Sequence, residues 1–192
     1  MSGSDYALLE PCFRRIQLRL DEWLFKPNQP IERVYFVDEG VASIVAMQEG
    51  GEMIEVGLYG REGFFGGAVV LGAGQSPHTS MVHIGMVTAL SISSPRLLEA
   101  CDQSATLLRA RLRYTHTLTV QAAYTAASNA HYALPERIAR WLLMCHDRVD
   151  GNHLELTHGF ISMMLAVRRS GVTVTLHTLE ATGAIRARSV AW

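Results

Sequence analysis

The chain is short of what a membrane span, a secretion signal or a disulfide scaffold needs. It has no run of about 18 uncharged apolar residues, so no transmembrane helix is expected. Met1–Glu10 lacks the basic start and apolar stretch of a signal peptide, which makes the cytoplasm the expected location. Cysteine is scarce. Cys12, Cys101 and Cys145 lie far apart and form no CxxC pair, and their odd number argues against a disulfide framework. Lysine is nearly missing, with Lys26 alone among 17 basic residues. No Gly-x-Ser-x-Gly elbow or Cys-His pair appears. Gly72-Ala73-Gly74 lacks the third glycine, the following helix and the acidic residue of a dinucleotide motif. His78 and His83 are not joined by the HxH-plus-Glu cluster of a cupin-type metal centre. No catalytic residue and no metal ligand is therefore nominated, and the chain is not read as an enzyme.

What is present is ample apolar material. Hydrophobic residues make up 48% of 192 residues, enough for real cores and unlike a disordered chain. Charge is unevenly spread. Residues 1–100 carry six Arg and one Lys against twelve acids, whereas residues 101–192 carry ten Arg against six acids. A basic second half beside an acidic first half points to a polyanion partner.

Glycine is uneven too, with eleven of sixteen between Gly40 and Gly85. Short alternating or β-branched stretches run between them: 34–37, 41–47, 53–58, 64–71, 81–84 and 87–92. Short strands separated by glycine turns predict an all-β sandwich or barrel. Expected turns are Asp38-Glu39-Gly40, Glu49-Gly50-Gly51-Glu52 and the stretch from Leu58 to Gly63.

The pattern changes after Pro95. From about Ser104 to Ala133 there is neither glycine nor proline, and Leu108, Leu112, Thr115, Thr119, Ala122, Ala126, Asn129 and Ala133 recur at helical steps. A second seam through Leu118, Ala122, Thr125 and Asn129 is slightly rotated from the first. A helix packed on its own barrel is one reading. Ala, Thr and Asn are weakly apolar for that, and they suit a close helix–helix contact across a dimer axis better.

Pro135 starts a further helix to about Asp147, with Ile138, Trp141, Leu142 and Cys145 on one face. Arg148-Val149 and His153–Leu156 read as a hairpin around Asp150-Gly151-Asn152, and Thr157 as the N-cap of the next helix. From His158 onward, Ile161, Ser162, Leu165, Val167 and Val172 have the spacing of two short helices crossing steeply, with a small residue at their contact. Arg168, Arg169, Ser170 and Thr173 then fall at the exposed start of the second helix. Arginine reads guanine bidentately in the major groove, and a helix start favours phosphate.

The chain from about Leu20 to Ile185 resembles the Crp–Fnr superfamily of bacterial transcription regulators. The resemblance is carried by Val34-Tyr35-Phe36, Gly40-Val41-Ala42-Ser43, Glu55-Val56-Gly57, Gly60-Arg61-Glu62-Gly63 and Leu71-Gly72 in the first half. Arg137 to Leu143, Leu156-Thr157, Val167-Arg168-Arg169-Ser170 and Val172 carry it in the second. It implies an α+β chain in three parts. These are a double-stranded β-helix (jelly-roll) sensor domain at 1–103, a dimerisation helix at 104–134 with Leu108, Leu112, Thr115, Thr119 and Ala122 in the interface, and a winged-helix-type helix-turn-helix at 135–192. Implied partners are a two-fold site on double-stranded DNA, a second copy of the chain and RNA polymerase, with no membrane. The expected function is sequence-specific DNA binding under control of an effector in the roll.

Departures from the family pattern modify those expectations. Gly67 stands where cyclic-nucleotide binders have the Glu that holds the ribose, and His78 about where they have the Arg that holds the phosphate. Without the guanidinium a buried phosphate loses its bidentate partner, so cyclic AMP is not expected. The candidate effector pocket is Phe65, Gly66, Gly67, Val69, His78 and Thr79, open to a more apolar ligand. The iron–sulfur cysteines of the oxygen sensors are absent and haem is not indicated. Ala166 stands where the turn usually has Gly, at a cost of about 1 kcal/mol if that turn needs positive φ. Arg186 to Trp192 offers one wing strand at most, so the wing is expected to be truncated. The alternative function is a dimeric sensing module that no longer binds DNA.

Overall fold

The computed structural model describes residues 2–187. Helix α1 (Gly3–Leu9) opens with a reciprocal cap: Ser2 Oγ accepts from the Asp5 amide at 3.1 Å and Asp5 Oδ2 accepts from the Ser2 amide at 3.0 Å. The other Asp5 oxygen accepts from the hydroxyls of Ser104 and Thr106, tying the first helix to the start of a much later one.

One six-stranded antiparallel sheet follows, built from β1 (Arg14–Leu18), β2 (Trp23–Phe25), β3 (Arg33–Met47), β4 (Met53–Tyr59), β5 (Phe64–Phe65) and β6 (Thr79–Ser93). Its order is β1-β6-β3-β4, with β2 also on β6 and β5 also on β3. The two 15-residue strands β3 and β6 pair from Arg33–Ser93 to Val45–Thr79, and repeated register shifts between Val37 and Ala42 bend them. Bulges of this kind curl a sheet onto itself, and the result is a jelly-roll-like barrel.

The segments read as 34–37 and 41–47 are therefore one strand, not two joined by a turn at Asp38–Gly40. Gly40 has φ +88°, and a Cβ there would lie 2.8 Å from the Met86 carbonyl oxygen, so the close approach of β6 requires glycine. Likewise 81–84 and 87–92 are one strand. The stretch 64–71 is a strand only at Phe64–Phe65; the chain then turns at Gly66 (φ +102°) into the short α2 (Gly67–Val70). The 49–52 hairpin turn forms as read; the turn read over 58–63 is confined to Gly60–Gly63, with Leu58 and Tyr59 ending β4.

After β6 come α3 (Ser94–Gln103), α4 (Ala105–His131), α5 (Leu134–His146), α6 (His158–Met164) and α7 (Arg169–Ala181). The 27-residue α4 extends about 40 Å. Ser104 Oγ caps it by accepting from the Leu107 amide. It does lie along its own barrel, through a stripe rotated from the first seam read in the sequence and sharing Leu118 and Thr125 with the second. Leu107 and Ser128 are buried, and Arg111, Tyr114, Leu118, Gln121 and Thr125 half-buried. Arg111 stacks over the rings of Phe36 and Phe64, 5.1 and 5.2 Å from their centroids. Gln121 pairs with both backbone groups of Leu58 on the edge strand β4.

Three cores result. One, around Val34, Phe36, Phe64, Ile92, Leu97 and Leu107, joins the helices to the roll. A second fills the roll with Leu18, Val37, Tyr59, Phe65, Val82 and Val87. The third joins Val41, Leu58 and Ile84 of the roll to Ile138, Trp141, Cys145, Ile161, Met164, Val172 and Leu176 of α5–α7. The hairpin expected at 148–156 is not a pair of strands: 148–152 are turns and bends and 153–156 irregular. Arg148 is drawn instead to Glu62 of the roll at 2.7 Å. The expected wing segment falls largely on 188–192, outside the described residues.

Candidate DNA-reading face and candidate pocket

Thr157 caps α6, its hydroxyl accepting from the Phe160 amide at 3.1 Å. Ile161 and Met164 anchor the helix in the third core. The turn that follows passes through Ala166 at φ +52°, the left-handed conformation that the missing glycine foreshadowed. Arg137 of α5 steadies this turn. Its guanidinium donates to the Leu165 carbonyl at 2.8 Å and to Asn129 Oδ1 of α4 at 3.0 Å.

Helix α7 buries Val172, Thr175 and Leu176, which turns its opposite face outward. Arg168 at the N-cap, Arg169 and Ser170 are exposed at its start. Thr173 differs from them. It is half-buried, its hydroxyl donates to the Arg169 carbonyl at 3.1 Å, and it therefore accepts from His158 Nδ1 at 2.9 Å. Thr173 thus ties α6 to α7. The outward stripe continues instead through Val174, which is 67% exposed, and His177. Sequence reading missed both, although the i, i+1, i+5, i+8 spacing from Arg169 identifies them.

The candidate pocket residues are not gathered around a shared space. Phe65 and Val69 are buried in two different cores, with the Phe65 ring 4.2 Å from that of Tyr59. Gly67 faces α4, where a Cβ would stand 3.1 Å from Thr115 Oγ1. Thr79 is buried and donates to the Phe25 carbonyl, while His78 is exposed. None of the six supplies a fixed positive charge, so these residues do not fit a cyclic phosphate. An open cleft of about 500 Å³ lies elsewhere, between the roll and the segment that follows α5, lined by Asp38, Arg61, Met86, Arg148 and His153 among others. Among the described residues no three His, Cys, Asp or Glu side chains form a metal-binding group.

Of the interface residues read on α4, Leu112 and Thr119 are exposed, whereas Leu108, Thr115 and Ala122 are half-buried at the edge of the roll-facing stripe. Leu112, Val120 and Tyr124 are the large apolar residues α4 leaves uncovered.

Comparison with known proteins agrees with this architecture. Residues 15–104 match the family model of the cyclic nucleotide-binding domain, and residues 136–191 that of the Crp-like helix-turn-helix domain. The chain is 27% identical over 158 residues to a global nitrogen regulator of Nostoc sp., covering 79% of this chain and 71% of that protein. Its fold is similar to FixK2 from Bradyrhizobium japonicum, with a TM-score of 0.79 and 18% identity over 93% of this chain and 89% of that one. It is also similar to the c-di-GMP responsive global regulator CLP of Xanthomonas campestris, with a TM-score of 0.76 and 19% identity over 98% and 96%.

Proposed function

This chain belongs to the Crp/Fnr superfamily of transcription regulators, and we propose that it works as a homodimer that reads a two-fold DNA site with α7. The units of that reading are a sensor roll at 1–103, a dimerisation helix at 104–134 and a DNA-binding unit at 135–192. The observation that carries it is the start of α7, where Arg168, Arg169 and Ser170 stand in solvent on a helix whose other face is buried.

Arg169 is the base reader, with a guanidinium suited to guanine O6 and N7. Arg168, one position before the helix, contacts phosphate. Val174 offers an apolar surface to a thymine methyl. Thr173 acts indirectly by holding α6 against α7. An effector acting on the roll is part of this reading, and its chemistry is not that of a cyclic nucleotide.

Gel shifts at graded salt test the assignment. Arg169→Ala is expected to lose about 1–3 kcal/mol on the preferred site and to relax specificity at one base pair. Arg168→Ala is expected to weaken all sequences alike and to lower the salt slope by about one unit. No binding by the unaltered protein at low salt would favour the dimeric sensing module instead.

A further inference from the structure

The DNA-binding unit hangs from α4 on two extended residues, Tyr132 and Ala133. Arg137 and Arg140 of α5 also bond to Asn129 and Thr125 of α4. The seam between the unit and the roll has an apolar centre, with the Arg148–Glu62 and Arg61–Asp150 ion pairs at its rim. Glu55 of β4 lies inside it, 7% exposed. Its place is the work of a bulge. Ile44 pairs with Gly57 but Val45 pairs with Glu55, so β4 carries one extra residue there. Strict alternation from Leu58 would send Glu55 into the barrel; the extra residue moves it to the Leu58 face, toward α5.

There the carboxyl joins both sides of the seam. It accepts from the Ser43 hydroxyl on β3 and from Trp141 Nε1 on α5, the latter at 2.8 Å. Trp141 is itself 3% exposed. Arg140 of α5 and Arg148 in the turn after it influence the charge but hydrogen-bond elsewhere, Arg148 to Glu62 and the Met144 carbonyl, Arg140 to Thr125. Cys145 of α5 is the other titratable group facing it. From α6, the Phe160 ring stands 6.1 Å from that of Trp141.

We propose that Glu55 is the positioning residue of this seam: its neutral carboxyl holds the DNA-binding unit against the roll, and its ionised form releases it. The neutral acid satisfies both partners, its O–H donating to Ser43 Oγ while its carbonyl accepts from Trp141. The carboxylate also accepts from both, but it is charged in an apolar seam. Burial pushes this carboxyl up to about 7 from an ordinary 4.5, against the opposing pull of Ser43, Trp141 and the two arginines. The closed seam therefore binds the proton more tightly than an opened one. Its advantage is complete below the ordinary carboxylate value and is lost as pH rises through about 7.

Hydrogen exchange of the Trp141 indole N–H, read by NMR on the full chain and normalised for intrinsic rate, reports the opening. Between pH 6 and pH 8 its protection is expected to fall about tenfold in the unaltered protein. In Glu55→Gln, a permanently neutral isostere able to make both hydrogen bonds, it is expected to stay constant. The amides of Val82 and Ala89 inside the roll are expected not to follow it. A fall of equal size in Glu55→Gln, no fall in the unaltered protein, or a parallel fall at Val82 and Ala89 overturns the proposal. Should Glu55→Gln not fold, Ser43→Ala serves in its place: losing a donor to the carboxylate, it is expected to move the fall to higher pH, and an unmoved fall overturns the proposal. The idea rests on the DNA-binding reading only for what the seam orients. The exchange measurement involves no DNA, so its failure and the failure of that reading are separable.

Discussion

At Ala166, a single side chain meets a backbone conformation that L-residues avoid. The turn between α6 and α7 needs φ near +52°, and Ala166 is exposed, so no packing complicates its energetics. Ala166→Gly removes about 1 kcal/mol of left-handed strain but loses part of it to the greater freedom of the unfolded chain. Thermal denaturation is expected to show Gly equal to or slightly above Ala. Ala166→Val, with a β-branched residue where φ is positive, is expected to fall about 1 kcal/mol or more below both. Equal stability of the Val and Gly variants would mean that the turn has another conformation in solution. Gly63 illustrates a different demand on a residue. A Cβ there would overlap Tyr114 of α4, 1.8 Å from its hydroxyl, so this glycine of the Gly60–Gly63 turn serves close packing of the helix.

Helix α4 shows how an element can be read correctly and oriented incompletely. Four of its five threonines, at 115, 117, 119 and 125, each return their hydroxyl to the carbonyl four residues back. Their methyl groups remain to make contact, so a threonine-rich seam can be dry. The face directed at the roll is Leu107, Arg111, Tyr114, Leu118, Gln121 and Ser128, and the face left uncovered carries Leu112, Val120 and Tyr124. A second copy is expected on this uncovered face. The double change Leu112→Glu and Val120→Glu puts like charges across the two-fold axis, and light scattering is expected to fall from twice the chain mass to a single chain mass. A variant that remains dimeric at micromolar concentration would place the interface elsewhere.

For the whole molecule, the charge split has a structural counterpart. The acidic roll meets the basic second half through Arg148–Glu62 at 2.7 Å and Arg61–Asp150 at 2.8 Å. The second pair is largely exposed and contributes little to stability. The apolar seam between the halves does more to unite them. The roll interior is filled by its own side chains, Tyr59 and Phe65 foremost. Calorimetry with cyclic AMP and cyclic GMP at pH 7 is expected to give no binding in the micromolar range, because none of the six candidate pocket residues carries a guanidinium. Micromolar affinity for either nucleotide would require a rearranged roll.

The residue pattern alone determined the order of parts: a glycine-punctuated β region, a long uninterrupted helix, and two short helices with arginines at the second start. These are local properties, written in periodicity, caps and breakers. Ala166 is marked by the resemblance and not by the pattern, since it stands where the family's turn usually has glycine. Contacts between distant segments decided the rest. Arg14–Leu18 and Trp23–Phe25 are strands because β6 pairs with them, and their own alternation is too weak to announce them. Gly40 lies within a continuous strand because β6 presses on it there. The expected pocket residues come from two short stretches, 65–69 and 78–79, yet Phe65 and Val69 fall in separate cores and His78 stands exposed, since neighbouring side chains in a strand or turn point opposite ways. Glu55 is the sharpest case. One extra residue in β4 reverses its side of the sheet, and only the paired register of β3 and β4 reveals that the carboxyl faces Trp141, 86 residues away in the chain.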